Sequence, residues 1–317
     1  MSRFPFGLCD THCDTLTEMC AAHDGFYNTT HHISLDRVDD FAFYTQIMAI
    51  YSDAGRTEEA CWRQFLTACD YAEHCREHHP EITACSTAAE LEAVWARGGK
   101  SYILAVEGGK LLAGDLRRLD IIRQRGVRFF TLVWGGHTCM GGAHDVGGTL
   151  SPFGIAALRR MLEIGIVPDV SHASDAIFDQ TAAICAEAEK PFFASHSNSA
   201  SIHRHTRCLS DAQFTEIMRA NGIVGISFCT LHLGAPANAV TVARAVDHIE
   251  HYLSLGGARH VCFGGDLDGI GDDIPLPMRG IEHMYLFYEE MARRGYSDAL
   301  ISDLFCGNAQ AFLRRAL

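Results

Sequence analysis

The feature that most constrains this chain is an alternation. Short apolar, β-rich runs near 7–12, 43–51, 102–106, 129–134, 166–170, 192–195, 223–228 and 260–264 are separated by stretches of helical periodicity. Those stretches cover 57–78, 87–97, 115–125, 153–164, 174–188, 210–220, 241–255 and 281–293. Several of the runs are apolar throughout, as strands are when a parallel sheet is buried on both faces. Eight strand–helix repeats predict an α/β fold closed into a (β/α)8 barrel of the TIM type. An open doubly wound sheet is the alternative; it is weakened because no glycine-rich phosphate loop follows the first strand. No linker or low-complexity tract interrupts the 317 residues, so one barrel domain over 1–317 is expected. Helix starts are marked locally. Thr57 precedes Glu58 and Glu59, and Ser210 precedes Asp211, each a hydroxyl placed to accept from the first turn.

Composition narrows the partners. A net charge of −13 argues against nucleic acid, whose phosphates need clustered Lys and Arg. Thirteen cysteines, an odd number without CxxC spacing, read as reduced thiols of a cytoplasmic protein and not as a disulfide framework. The first residues are too short and polar for a signal peptide. No run approaches the roughly 18 apolar residues of a membrane span, so no membrane partner is expected.

The chemistry-bearing residues fall at strand ends. The first strand ends in His12-Cys13-Asp14, and strand alternation sends His12 and Asp14 to one side. The third runs into Glu107, followed by Gly108-Gly109. The fifth leads to His172, the sixth to Ser195-His196-Ser197, and the eighth to Asp266-Leu267-Asp268. In a parallel barrel these ends share one mouth, where barrel enzymes place their chemistry. Singly, each has an ordinary explanation. HxD can be a satisfied polar contact, Ser-His a turn or cap, Glu107 a loop cap, and Asp266 and Asp268 an Asx-turn. Together, three histidines and two carboxylates make a nitrogen–oxygen metal site suited to zinc, with manganese, cobalt or iron as alternatives. Five ligands exceed what one four-coordinate ion with an open position needs. A carboxylate shared between two ions would accommodate them, and Glu107, belonging to neither pair, is the natural bridge.

The segments DTHCDTL (10–16), AVEGG (105–109), GVRFFTLVW (126–134), LSPFG (150–154), VPDVSHAS (167–174), FFASHSNSASIHRHTRCLSD (192–211), NGIVGISF (221–228) and FGGDLDGI (263–270) carry a resemblance. The chain resembles the membrane (renal) dipeptidases, the M19 metallopeptidases, over nearly its whole length. The resemblance implies a metal-dependent hydrolase barrel that cleaves dipeptides, some with a D-residue on the C-terminal side, through a hydroxide shared by two Zn2+. It implies one zinc on His12 and Asp14, the other on His172 and His196, and Glu107 bridging. It makes Asp266 the catalytic acid/base and Arg207 the clamp on the substrate's carboxylate, a bidentate task that Lys would copy poorly. It also implies a homodimer. Three places depart from the family. A substrate-holding histidine after the fourth strand is replaced by Trp134, with His137 nearby as its expected stand-in. Cys208 follows Arg207 where Asn is usual, and the pattern around Cys229 and Thr230 is altered. The alternatives are another amidohydrolase-like hydrolase acting on a cyclic amide, lactone or phosphoester, and a metal-bound binding protein without turnover.

Overall fold

The computed structural model describes residues 3–51 and 55–317. Among the described residues there are eight strands: β1 (Leu8–Cys13), β2 (Tyr44–Tyr51), β3 (Ile82–Ala84), β4 (Lys100–Glu107), β5 (Phe129–Thr131), β6 (Val167–Asp169), β7 (Val224–Ile226) and β8 (Val261–Phe263). Seven run parallel in the order β6-β5-β4-β2-β1-β8-β7, and β3 pairs with β4 off that path. The gap between β6 and β7 is filled by residues 192–195. Phe193 bridges Asp169 and Ala194 bridges Val224, both in parallel. The hydrogen bonds Val170 N→Phe193 O and Gly225 N→Ala194 O, each 2.9 Å, close the ring. The fold is therefore a (β/α)8 barrel with eight staves.

The set of staves differs from the sequence expectation in two places. The 192–195 run is a stave but not a regular strand, because the Ser195 N–H donates to the Asp169 carboxylate (2.9 Å) and so leaves the backbone ladder. The sequence reading missed β3, whose Ile82-Thr83-Ala84 is only partly buried and lacks the continuous apolar run that marks the barrel staves. The helices Glu58–His78, Ala88–Ala96, Arg117–Gln124, Pro152–Ile164, Asp175–Glu187, Asp211–Arg219 and Val242–Ser254 fall where the periodicity put them. Thr57 and Ser210 cap theirs, accepting from Ala60 N and Gln213 N. The 281–293 stretch opens as a 3-10 turn and continues as the helix Tyr285–Arg293. Further helices at Thr15–Ala22, Thr230–Leu233, Asp298–Ser302 and Asn308–Ala316 were not anticipated.

Closure is tight on the irregular side. A Cβ on Gly225 or Gly264 would stand 2.0 or 1.8 Å from the Ser195 carbonyl oxygen, so no side chain fits at either position. The Thr11 hydroxyl donates to that same carbonyl at 2.6 Å. Below the mouth, Phe193 packs against Phe129 and against Phe312 of the C-terminal helix, with ring centroids 5.1 and 5.2 Å away. Among the described residues no helix is long and apolar enough to cross a membrane.

Because Phe193 is fully buried and ties the eighth stave to two neighbours, Phe193→Ala is expected to cost about 3–5 kcal/mol in urea denaturation. A loss under about 1 kcal/mol would show that closure does not depend on it.

Candidate metal centre and substrate cleft

The barrel brings the predicted side chains together. His12 and Asp14 leave β1, Glu107 ends β4, His172 follows β6, His196 follows the 192–195 stave, and Asp266 follows β8. All six are buried at the C-terminal mouth. One register row, Tyr51–Glu107–Thr131–Asp169, runs across β2, β4, β5 and β6. Glu107 Oε1 lies 3.0 Å from His172 Nε2 and 3.4 Å from His196 Nε2. Its Oε2 lies 3.6 Å from His12 Nε2. Asp266 Oδ1 is 3.8 Å from the same His12 nitrogen. Donor atoms within 4.8 Å of one another form three groups: His12–Asp14–Glu107, Glu107–His172–His196 and His12–His196–Asp266. The first two share Glu107.

Supporting groups fix these orientations. Asp169 accepts from Thr131 Oγ1 (2.6 Å), Ser171 N (2.9 Å), Ser195 N (2.9 Å) and Ser195 Oγ (2.5 Å). With its proton committed to Asp169, Ser195 Oγ accepts from His196 Nδ1 at 2.7 Å. His172 Nδ1 donates to the Trp134 carbonyl at 2.9 Å. Asp10 does for β1 what Asp169 does for β6, accepting from His12 N, Gln46 Nε2 and Gly265 N. Such partners set which imidazole nitrogen is left to bind. Sequence reading did not single out Asp10 or Asp169, since a buried aspartate inside a β-run carries no spacing signal of its own.

The donor set fits a cation. Both Nδ1 atoms of His172 and His196 are spent as donors, so their Nε2 atoms carry lone pairs. Those two nitrogens stand 3.0 Å apart and both face Glu107 Oε1. Buried His12 Nε2 and Asp14 Oδ1 have no hydrogen-bond partner. Lone pairs turned on one another out of water are costly unless a positive charge lies between them. The titration pattern agrees. Burial penalises the Glu107 carboxylate, yet the charge of His12 beside it holds it well below the usual carboxylate range. Burial opposes a charge on His12 too, but Glu107, Asp266 and Asp14 raise its pKa to about 10. Burial and the Glu107 charge push Asp14 well up. Burial and Arg207 bring His172 down to about 4. Burial, with Glu107 and Asp10, lifts Asp266 to about 7 against the pull of His12 and Arg207.

A cavity of about 500 Å³ opens over this cluster. Its described lining includes one Lys or Arg, Arg207, against seven carboxylates: Asp14, Glu18, Glu107, Asp145, Asp266, Asp268 and Asp273. Arg207 is buried, donates from Nη2 to the His196 carbonyl (3.2 Å) and leaves Nε unpartnered. His137 is exposed and pairs with Gly142 in the loop, so the structure does not bring it to the cleft. His144 lines the cleft instead. Its backbone N–H bonds the His172 carbonyl (2.9 Å), and its Nδ1 lies 2.8 Å from Thr206 Oγ1, next to Arg207. A histidine seven residues on has no sequence signal favouring it, because the Gly-rich path of 135–148 decides which one turns inward. Asp268 is occupied with the neighbouring loop, accepting from Thr15 Oγ1 (2.6 Å) and the His32 backbone. Gly269 gives the acids room, since a Cβ there would lie 2.2 Å from Asp14 Oδ2.

The model of the membrane dipeptidases, peptidase family M19, matches residues 3–316. The chain belongs to that family. Dipeptidase 3 of Rattus norvegicus is 27% identical over 297 residues, which cover 89% of this chain and 58% of the relative. The chain spans about three-fifths of the length of the curated relatives it matches first. Among solved structures, an M19 metallopeptidase described as dipeptidase AC superposes with a TM-score of 0.90 at 24% identity, covering 99% of both chains. A Rhodobacter sphaeroides metallopeptidase liganded with a phosphinate mimic of L-Ala-D-Ala also gives 0.90 at 24%, covering 98% of this chain and 99% of that one. At these identities the two structures speak to the fold, which they share with this M19 chain.

A cation bound through lone pairs must displace protons. At neutral pH the metal-free protein carries a proton on His12, whose pKa stands near 10 against an ordinary 6.5. That proton contributes stability fully present below about pH 6.5 and lost as pH rises through about 10. Calorimetry of Zn2+ uptake in buffers of different ionisation enthalpy is expected to show about one or more protons released at pH 7. Affinity is expected to climb between pH 6 and 8. Uptake without proton release would remove His12 from the ligand set.

Proposed function

We propose that this chain is a metal-dependent dipeptidase acting on free dipeptides, including those with a D-residue in the second position. The observation that carries the reading is the polarity of the cleft: a lone buried arginine and four acids, Glu18, Asp145, Asp268 and Asp273, around a ligand cluster that contains Asp14, Glu107 and Asp266. A zwitterion fits that field, with its carboxylate at Arg207 and its ammonium among the acids, whereas a longer peptide or a capped one loses an anchor. Membership of the M19 family supports the same reading, and the mimic-bound relative supports the D-residue.

In this reading His12 and Asp14 would hold one Zn2+, His172 and His196 would hold a second, and Glu107 would serve both. The bound ions supply Lewis acidity, lowering the pKa of water toward about 7 and polarising the scissile carbonyl. The chain's own residues do the rest. Asp266, beside His12 and the cleft, takes the attacking water's proton and returns it to the leaving amine. Its backbone sits at φ 59°, a conformation that aspartate tolerates better than most residues. Arg207 grips the C-terminal carboxylate, using the unpartnered Nε. His144, its Nδ1 engaged with Thr206, offers Nε2 to the substrate in the role first expected of His137.

Protein loaded with Zn2+ is expected to cleave unblocked L,L or L,D dipeptides and to spare the same dipeptides when N-acetylated or C-amidated. No turnover of any free dipeptide by the loaded protein would overturn the enzyme in favour of a binding protein. Asp266→Asn is expected to retain metal by elemental analysis while kcat falls by about 10²-fold or more. Loss of metal instead would make Asp266 a ligand. His144→Ala is expected to lower kcat/KM by about tenfold or more, the loss of one hydrogen bond to a charged or polarised group, with His137→Ala unchanged. Equal effects would place neither histidine on the substrate.

A further inference from the structure

The Trp134 indole supplies no ligand atom to the metal cluster, although its ring lies tilted against that of His172, centroids 5.8 Å apart, and its backbone supports the same residue. Its carbonyl accepts from His172 Nδ1 at 2.9 Å, and the following loop is tied down where Gly136 N donates to the Asp145 carboxylate (3.0 Å). The side chain is thus attached to a fixed point. The indole lines the cleft and meets Tyr51 edge to face, ring centroids 5.0 Å apart. Tyr51 ends β2 in register with Glu107 on β4, and Trp134 follows β5. The two rings therefore flank the Glu107 stave from either side and make an aromatic wall over it.

Stave order gives this wall a place on the substrate. Around the ring the order is β1, β2, β4, β5, β6, 192–195, β7, β8. Arg207 bonds the His196 carbonyl, at the top of the 192–195 stave, diametrically opposite β2. A dipeptide held by its carboxylate at Arg207, with its peptide bond over the central ligands, must carry its first residue toward the β2–β5 side. Glu18 beyond β1 and Asp145 beyond β5 flank that side and suit the ammonium. They repel an acidic side chain there.

We infer that Trp134 is a specificity-determining residue, and that this chain's substrates are dipeptides whose first residue bears an aromatic or large aliphatic side chain. This rests on the dipeptidase reading and on Arg207 as the carboxylate anchor. Apolar walls of this kind discriminate by about tenfold or more for a side chain that fills them. Because the carbonyl belongs to the backbone, replacing the side chain removes the wall and leaves the His172 acceptor in place.

The test compares kcat/KM for Phe-Ala, Leu-Ala, Gly-Ala, Asp-Ala and Ala-Phe in Zn2+-loaded wild type, Trp134→Ala and Trp134→Phe, with bound metal measured in each. Wild type is expected to prefer Phe-Ala over Gly-Ala by about tenfold or more and to reject Asp-Ala. Trp134→Ala should collapse that preference, Trp134→Phe should retain most of it, and metal content should not change. A second reading needs no turnover: Phe-Ala added to metal-free protein should perturb indole fluorescence in wild type and leave Trp134→Phe silent. Hydrolysis without preference at the first residue, or a preference that survives Trp134→Ala, overturns the inference and leaves the dipeptidase standing. Absence of any dipeptide hydrolysis overturns the dipeptidase itself.

Discussion

The mouth of this barrel depends on one buried carboxylate. Asp169 accepts four hydrogen bonds, from Thr131, Ser171 and twice from Ser195, and they come from three parts of the architecture. One joins β5 to β6, one starts the turn toward His172, and two draw in the irregular stave that completes the ring. A buried charge of this kind is tolerable only when its lone pairs are filled. Here filling them is also what orders the neighbouring ligands. Through Ser195 the constraint reaches His196 and sets which nitrogen it presents. Asp10 repeats the arrangement on the opposite side, so the two histidine-bearing flanks are held from below by matching aspartates.

Above those braces the energetics reverse. The lower layer is satisfied, while the upper layer holds Nε2 lone pairs, an unpartnered Asp14 oxygen and a Glu107 carboxylate within a few ångströms. Satisfied polar groups make the frame stiff, and unsatisfied ones make the site demand a cation. The metal-free chain answers part of that demand with the proton on His12. Rigidity of the frame keeps the ligand atoms converged when their own repulsion would spread them.

Much of this was legible in the sequence, for identifiable reasons. Strand–helix alternation is a periodic signal, and it located all eight staves, seven of which are regular strands. His12, Asp14, Glu107, His172 and His196 are ligand-type residues at strand ends, so knowing the topology was enough to predict that they converge. What the sequence hid depends on paths and not on patterns. His144 turns inward and His137 outward because of a glycine-rich loop whose course no local preference determines. The Trp134 carbonyl supports His172 through an atom that every residue possesses. The 192–195 run reads as an ordinary strand because its departure from the ladder is caused by a side chain, Asp169, that lies 26 residues from Ser195.

The backbone at His172 and Asp266 has a consequence of another kind. Both sit in the left-handed region, at φ 68° and 59°, where a residue with a Cβ is held at a cost of about 1 kcal/mol or more. Glycine would relieve that strain at either position, and an uncharged replacement would also thin the crowd of buried charge. Conformational comfort and activity therefore pull in opposite directions at these two positions of the cleft. Selection for robustness alone would erode this mouth first, and a sturdier descendant of this barrel would be recognisable by the glycines and amides that had replaced its working residues.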